Sequence, residues 1–395
     1  MASALVGTAR RSRGLLIQCY QGGRSNRHCF SPEHGRHASS VHGMRLEQYR
    51  TMWGNIEATD GALARSPHKD IDTLLPELKK LGYDGIEIPY KLILYCGKDR
   101  VKALLKDLKL KCTIMVFSDG PVVPGAVGIW GGPYDGYTAP TIGGETDKAK
   151  LVATHLKVWQ EQVEGAQELD PTLVVSHTLK DYFTFEMATK FFQQALAWES
   201  QTGYIVGHEG HRKRFLHSPW VARDFVPLFP DMKITADLSH WINVAETDTN
   251  DLDLTQVIED IAPQVWHTHC RVGYDHGPQV PDPRSPEWLP YMEGHERWWD
   301  AIWKAQAARG ASVATMIAEH GPPNYQQCIP GSRQPVAHIW DVNHWIHLRR
   351  QARFAELFGA DKTSSLIPSA TQGFEPSTSP GESLLSGLGR KSFKA

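Results

Sequence analysis

Four short apolar stretches in the second half of the sequence lead into a residue that can bind a metal ion. In chain order these are Glu209 in "GYIVGHE", Asp237 in "KITADLSHW", His269 in "VWHTHCRVG" and Glu319 in "ASVATMIAEHG". Three carboxylates and one imidazole form an oxygen-rich ligand set, which suits Mn²⁺, Mg²⁺ or Co²⁺ better than a structural Zn²⁺. Each residue alone would be read as an ordinary hydrogen-bonding group. Together they predict a site for one divalent metal ion.

Several histidines stand near these four residues. Alternation along a strand places His267 on the same face as His269, so we expect His267 to lie behind the metal ligand and to hydrogen-bond to it. His240 follows Asp237 by three residues, where it could hold a substrate hydroxyl or make an ordinary loop hydrogen bond. His177 ends another apolar stretch, "PTLVVSH". It is a further candidate for substrate binding.

Basic residues follow two of the predicted metal ligands. Arg271 comes two residues after His269, and a run of four comes directly after "GHEG": His211, Arg212, Lys213 and Arg214. If this basic group lies at the mouth of the site, it favours an anionic substrate such as a sugar phosphate or a sugar acid. A solvated basic face that only offsets the carboxylates is the alternative. The substrate-binding candidates from this group are His211, Arg214 and Arg271.

The elements that must position these residues alternate in type between residues 44 and 359. Short apolar runs are separated by longer stretches of helical period, as in parallel βα units. The eight strand candidates begin at Arg50, Gly82, Lys111, Pro171, Gly203, Lys233, Val265 and Ala311. Eight such units predict an α/β protein with a single (β/α)8 TIM barrel. Since the chemistry of such barrels lies at the C-terminal ends of the strands, the four predicted ligands should meet near the barrel axis.

Two connections are long enough to act as lids. They are "GPVVPGAVGIWGGPYDGYTAPTIGGE" after the third strand and "YDHGPQVPDPRSPEWLP" after the seventh. Long loops on the catalytic rim are often binding loops, although passive surface insertions have the same appearance. Trp130, Trp241 and Trp288 could line the site and stack on a sugar ring, or could be ordinary packing residues.

Composition limits the partners and the compartment. The chain has 395 residues, 41% of them hydrophobic, and a formal net charge of -2, so no global charge attracts nucleic acid or a membrane surface. No apolar run approaches the ~20 residues of a membrane-spanning helix. Six scattered cysteines without a CxxC pair indicate free thiols in a reducing compartment.

Both ends of the sequence differ from the rest. Residues 1–43 contain arginine and serine but no carboxylate before Glu33, which is typical of a mitochondrial transit peptide and also of a disordered basic extension. Without a cleaved transit peptide, the expected location is the cytoplasm. Residues 360–395 are rich in Ser, Gly and Pro, which predicts a disordered tail.

Five motifs resemble the xylose isomerase-like barrels, a family that includes sugar phosphate isomerases and epimerases and the ketose 3-epimerases. The motifs are "GYDGIEIP", "GHEGH", "ITADLSHW", "HTHCRVG" and "AEHGP", and the resemblance extends over residues 44–359. It implies that Glu209, Asp237, His269 and Glu319 bind the metal ion and that His240 binds substrate. It also implies that Glu209 and Glu319 are the catalytic acid and base.

The activity implied by this resemblance is isomerisation or epimerisation of a small carbohydrate through an enediolate. A dehydratase or lyase acting on a keto-polyol would use the same metal chemistry, and a barrel that binds metal and polyol without turnover is a third alternative. Members of the family often form homo-oligomers. Endonuclease IV chemistry is disfavoured because the sequence pI of about 6.8 provides no basic DNA-binding surface.

Two positions depart from the ketose 3-epimerases. Those enzymes carry a second glutamate six residues after the metal-binding one, where this chain has Phe215. They carry an arginine six residues after the metal-binding histidine, where this chain has Asp275. A substrate other than a free ketohexose is therefore expected.

Overall fold

The computed structural model describes residues 43–55, 70–119, 147–332 and 334–359. Within these ranges, eight parallel strands follow one another around a closed barrel, and β8 pairs with β1. The strands are β1 Arg45–Thr51, β2 Gly85–Pro89, β3 Lys111–Phe117, β4 Leu173–His177, β5 Val206–Glu209, β6 Lys233–Ala236, β7 Val265–Cys270 and β8 Val313–Ala318. The predicted (β/α)8 barrel is confirmed.

Helices surround this barrel. In the described ranges the α-helices are α1 Ile71–Lys80, α2 Tyr90–Cys96, α3 Lys98–Leu108, α4 Lys148–Gln167, α5 Phe185–Thr202, α6 Pro219–Phe225, α7 Leu238–Ala245, α8 Leu252–Ile261, α9 Leu289–Ala308 and α10 Ile339–Phe358. The sequence of α1 shows how they form. The Asp70 carboxylate caps the first turn by accepting the N–H groups of Asp72 and Thr73. Leucines at helical spacing, such as Leu74 and Leu78, are buried on the inner face.

The first strand differs from its prediction. It begins at Arg45 rather than Arg50, and residues 45–50 pair along the whole of β8. The stretch was missed because its buried residues are polar. Glu47 is 1% exposed and binds Lys111 Nζ at 2.5 Å, while Arg50 is fully buried and donates to Asn55 Oδ1 at 3.1 Å. Buried charges with partners replace the apolar side chains that mark the other strands.

The sixth strand is shorter than predicted, and this affects the site. "KITADLSHW" was expected to be a single strand, but β6 ends at Ala236 and α7 begins at Leu238. Asp237 is the N-cap between them, and its side chain accepts the N–H of Ser239 at 3.1 Å. His240 and Trp241 therefore lie on a helix.

The loop after the seventh strand is described and is folded against its surroundings. Tyr274 and Gly277 exchange backbone hydrogen bonds of 2.8 and 3.1 Å. Gln279 donates to the carbonyl of Gly321 at 3.1 Å and so ties this loop to the one after β8. Trp288 packs on Tyr274, with ring centroids 5.1 Å apart, at the outer part of the loop. The loop after β3, including Trp130, lies outside the described residues.

Other predictions are tested only in part. In the described ranges, Cys96, Cys112 and Cys270 are free thiols, as expected from their spacing. Among the described helices, none combines the length and apolar character needed to span a bilayer. The predicted transit peptide and the predicted C-terminal tail fall almost entirely outside the described residues and stay predictions.

One buried histidine makes the stability of the fold sensitive to acid. His295 in α9 is 0% exposed. Its Nδ1 donates to the carbonyl of Tyr291 at 2.9 Å, and its Nε2 accepts the N–H of Gly273 at 3.3 Å. The neutral ring satisfies both contacts, whereas a protonated ring would direct an N–H at an N–H. Burial accordingly lowers the pKa of His295 to about 4.

We expect acid to destabilise the protein through this residue. The folded-state pKa lies below the unfolded value of about 6.5, so the contribution is complete above about pH 6.5 and is lost as the pH falls toward 4. At pH 5 the loss is about 2 kcal/mol. Urea unfolding at pH 7.5 and 5 measures it. His295→Gln should be less stable at pH 7.5 but lose less on acidification, whereas the exposed His276→Gln should behave as wild type. An unchanged pH dependence in His295→Gln would contradict the assignment.

Candidate metal centre and active site

The four predicted metal ligands lie together at the C-terminal ends of β5 to β8. Their ligand atoms are all within 4.8 Å of one another, and all four side chains are buried. His269 Nδ1 is 3.0 Å from Glu319 Oε2 and 3.5 Å from Glu209 Oε1. We call Glu209, Asp237, His269 and Glu319 the metal cluster.

Strand alternation selects these residues over their neighbours. Glu209 is the last residue of β5 and points into the barrel, while the preceding His208 points outward and lies 3.1 Å from Glu199 Oε1 in α5. In the same way His269 faces the axis and Cys270 packs in the core outside the barrel. Parallel pairing of β5 with β6 and of β7 with β8 then brings the four ends together.

The metal cluster has the properties of a cation site. Three of its buried atoms, Glu209 Oε2, His269 Nδ1 and Glu319 Oε2, lie at ion-pair distance from a neighbour but make no hydrogen bond of suitable angle. Buried polar atoms without a hydrogen bond are rare unless an ion or water satisfies them. Ligands about 2.1 Å from an octahedral ion are roughly 3.0–4.2 Å apart, which agrees with the spacing of the cluster. These residues therefore fit a divalent ion.

Asp237 is shared between the metal cluster and its surroundings. Its Oδ1 accepts from the hydroxyl of Ser239 at 2.6 Å, and its Oδ2 contacts Nη2 of Arg271. A carboxylate oxygen has two lone pairs, so Oδ2 can accept this hydrogen bond and also bind a cation. Burial raises the pKa of Asp237 to about 6, against the lowering effect of Arg271. Arg271 places a permanent positive charge beside the cluster.

Glu87 is a site residue that the sequence reasoning missed. Its Oε2 lies 3.3 Å from His269 Nε2 and 3.4 Å from His267 Nε2, and accepts from Thr113 Oγ1 at 3.1 Å. Burial acts to raise the pKa of Glu87, but His269 and His267 outweigh it and hold this pKa at about 2. The ionised Glu87 thus binds Nε2 of His269 and leaves Nδ1 for the metal cluster.

This arrangement corrects the role predicted for His267. It was expected to hydrogen-bond to His269, but the two rings instead contact the same oxygen of Glu87, and His267 Nδ1 bonds to Thr315 Oγ1 at 2.8 Å. A signal for Glu87 was present in "GYDGIEIP", where a single glutamate interrupts an apolar strand. A buried carboxylate on a barrel strand requires a partner, and the barrel interior supplies it.

The carboxylates and histidines of the site shift one another's ionisation. Burial acts to raise the pKa of Glu209, yet His177 and His269 hold it well below its usual value. Burial acts to lower the pKa of His269, yet Glu319, Glu87 and Glu209 hold it well above its usual value. A proton on His269 and a bound cation thus compete for the same carboxylate surroundings.

Four of the predicted substrate-binding residues surround the metal cluster. His177 Nε2 is 2.7 Å from Glu209 Oε2, and the His211 ring lies 4.8 Å from that of His177 and 3.8 Å from that of His240. Arg271 Nη2 contacts His240 Nε2 at 2.8 Å. The resulting wall of imidazoles stands next to the carboxylates.

The other two predicted substrate-binding residues are engaged elsewhere. Trp241 is 1% exposed, and its indole N–H donates to the carbonyl of Leu216 at 3.0 Å, so it packs in the core. Arg214 is 5% exposed and forms an ion pair of 2.8 Å with Asp119 at the end of β3. The departures from the ketose 3-epimerases also lie away from the cluster: Phe215 packs on Phe225 in the core, and Asp275 accepts the hydroxyl of Tyr291.

Two aromatic residues that were not predicted lie over the site. The rings of Trp53 and Tyr325 are 4.9 Å apart and nearly perpendicular. The Arg271 guanidinium lies 4.8 Å from the centre of the Tyr325 ring and 5.7 Å from that of Trp53. Both residues follow barrel strands, β1 and β8, and so occupy the rim where such side chains could be sought.

Solved structures similar to this chain include sugar epimerases and a dehydratase. 3-Keto-D-glucoside 4-epimerase YcjR from E. coli is 16% identical, with a TM-score of 0.42, over 69% of this chain and 91% of that one. D-allulose 3-epimerase from Methylomonas sp., in complex with D-allulose, is 12% identical, with a TM-score of 0.46, over 79% and 99%. The probable 3-DHS dehydratase AsbF from Bacillus anthracis is 12% identical, with a TM-score of 0.39, over 68% and 92%.

Neither the family models nor the curated proteins gave a match to this sequence. D-psicose 3-epimerase and D-allulose 3-epimerase are among the solved structures similar to this chain. The strand pairing and the metal cluster define the class: a closed (β/α)8 barrel with a buried carboxylate–histidine cluster at the C-terminal ends of its strands.

Proposed function

We propose that this protein is a divalent-metal-dependent isomerase or epimerase acting on a small carbohydrate. One observation carries the proposal: Glu209 and Glu319 approach the same nitrogen of His269, at 3.5 and 3.0 Å, within one buried cluster. Two carboxylates on one site can remove a proton from a carbon and return a proton to the same or the adjacent carbon. The oxygen-rich ligand set favours Mn²⁺, Mg²⁺ or Co²⁺.

A divalent ion, when bound, polarises a carbonyl and a neighbouring hydroxyl and thereby acidifies the C–H bond beside them. The protein residues then move the proton. Glu209 is ionised at neutral pH, because His177 and His269 hold its pKa well below its usual value, and its carboxylate is the group placed to take the proton. Glu319 carries the second carboxylate, whose Oε2 lies 3.0 Å from His269 Nδ1. Return of the proton to the opposite face gives an epimer, and return to the adjacent carbon gives an isomer.

His177 connects Glu209 to the outer part of the site. Its Nε2 is 2.7 Å from Glu209 Oε2, and its ring lies beside that of His211, which is partly exposed. A proton received by Glu209 can therefore exchange with solvent through imidazoles. On the other side, Arg271 Nη2 is 3.6 Å from Glu319 Oε2 and places a permanent positive charge beside that carboxylate. Glu209 thus has the imidazole of His177 beside it, whereas Glu319 has the guanidinium group of Arg271.

Hydrogen exchange in D₂O tests the proposal. Metal-loaded protein should incorporate one deuterium at a carbon of a ketose, a sugar phosphate or a sugar acid, with conversion to an isomer or epimer and without loss of water. NMR and mass spectrometry detect both events, and chelator-treated protein is the control. Loss of water instead of isomerisation would identify a dehydratase. Saturable binding of metal and sugar without any exchange would replace the proposal with a non-catalytic binding protein.

A further inference from the structure

Arg212 differs from the other arginines around the site in having only neutral partners. Its Nε donates to His240 Nδ1 at 3.2 Å and its Nη1 donates to Asn243 Oδ1 at 3.2 Å. Arg271 and Arg214 each form an ion pair with an aspartate. Within the described ranges, no carboxylate lies at ion-pair distance from Arg212, although its side chain is partly buried. A guanidinium in such a position can still bind an oxyanion in a bidentate manner.

The groups around His240 offer more hydrogen-bond donors than acceptors. Its two ring nitrogens face guanidinium groups on opposite sides, Arg212 at 3.2 Å and Arg271 at 2.8 Å. A neutral imidazole accepts at one nitrogen and carries a hydrogen at the other, so one of the two guanidinium groups faces an N–H. Nη1 of Arg271 is also buried without a hydrogen bond. Donors therefore outnumber acceptors where both arginines converge.

The same two arginines share one aromatic ring. The guanidinium of Arg212 lies 5.6 Å from the centre of the Tyr325 ring, and that of Arg271 lies 4.8 Å from it. Arg271 contacts Asp237 of the metal cluster, whereas Arg212 lies beyond the His240 ring. If the reacting carbons of a substrate lie at the metal cluster, the part of the substrate that reaches Arg212 is therefore a part that does not react.

We infer that the substrate carries an oxyanion, a carboxylate or a phosphate, and that Arg212 is the residue that selects it, with Arg271 and Tyr325 forming the rest of its binding site. This inference rests on the proposed function, because it concerns the substrate of the same reaction. Within the basic run of residues 211–214, the inference assigns recognition of the oxyanion to Arg212 and not to Arg214, because Arg214 is neutralised by Asp119.

Binding of three probes to the full-length, Mn²⁺-loaded protein tests the inference: glucuronate, fructose 6-phosphate and fructose. We expect at least one of the charged sugars to bind tighter than fructose. Arg212→Gln should weaken that charged sugar about 10–150-fold, the effect of losing a hydrogen bond between charged groups, and leave fructose nearly unchanged. The glucuronate and fructose 6-phosphate arms separate carboxylate from phosphate. Lys213→Gln, which removes the adjacent exposed charge, is the matched control and should bind like wild type.

Turnover separates this inference from the function on which it rests. With the charged sugar that binds, Arg212→Gln should raise KM about 10–150-fold and change kcat much less, and Arg212→Lys should recover part of the loss. If Arg212→Gln weakens fructose as much as the charged sugars, the residue only positions His240 and the inference is wrong. It is equally wrong if fructose binds as tightly as both charged sugars or if none of the probes binds. Selective binding through Arg212 without deuterium exchange would support the inference and overturn the proposed function.

Discussion

Glu319→Gln and Glu209→Gln should each lower the rate of isomerisation or epimerisation about 10²–10⁴-fold, the usual contribution of a general acid or base. Glutamine retains the shape of glutamate and an oxygen ligand but cannot accept a proton at neutral pH. Because both carboxylates serve one proton transfer, the rate of the double variant should be only slightly lower than that of the less active single variant. The rates are measured by NMR in saturating Mn²⁺, with metal content determined for each protein.

Exchange into recovered substrate gives a sharper result than product formation alone. If Glu209 and Glu319 act on opposite sides, each variant should still exchange hydrogen in the one sugar that its remaining carboxylate can deprotonate. The two variants should therefore show exchange with opposite members of the substrate–product pair. Glu287→Gln, an exposed glutamate on the loop after β7, controls for the change of charge on the rim. A Glu319→Gln protein that keeps more than a tenth of wild-type turnover would contradict the assignment of Glu319 as a catalytic acid or base.

His269→Ala should abolish high-affinity binding of Mn²⁺, because it removes the only nitrogen of the metal cluster and leaves its carboxylates to repel one another. At a Mn²⁺ concentration of 100 times its Kd, the wild type should gain about 2.7 kcal/mol in the free energy of unfolding relative to chelated protein. The variant should gain almost nothing. Calorimetric titration and urea unfolding, with and without Mn²⁺, measure the two effects.

Glu87→Gln should have a smaller effect of the same kind. Loss of the carboxylate behind His269 Nε2 is expected to weaken Mn²⁺ binding about 10–100-fold. Glu47→Gln is a matched control, since Glu47 is also a buried barrel glutamate but binds Lys111, at the N-terminal end of β3, whereas the metal cluster lies at the C-terminal ends of its strands. If Glu87→Gln and Glu47→Gln weaken Mn²⁺ binding equally, Glu87 acts only through the general stability of the protein. If His269→Ala binds Mn²⁺ with wild-type affinity, His269 is not a metal ligand.

The sequence alone determined the barrel and the members of the metal cluster. Short strands, apolar except for the first, alternate with helical segments, and this local pattern indicates a parallel closed sheet almost regardless of how side chains pack. Once the sheet is closed, residues that end successive strands meet at one place. Glu209, Asp237, His269 and Glu319 could therefore be chosen before any distance was known, and the structure brings them within 4.8 Å.

The partners of the remaining side chains were decided only by the tertiary structure. Arg212 and Arg214 are two residues apart and look alike in sequence, yet Arg214 binds Asp119 just after β3 and Arg212 binds His240 and Asn243 from α7. Glu87 likewise became a site residue because β2 faces β7 across the barrel. Such contacts join segments far apart in the chain, and local periodicity carries no information about them. They depend on which loops and strand interiors pack together, and that is where the choice of substrate lies.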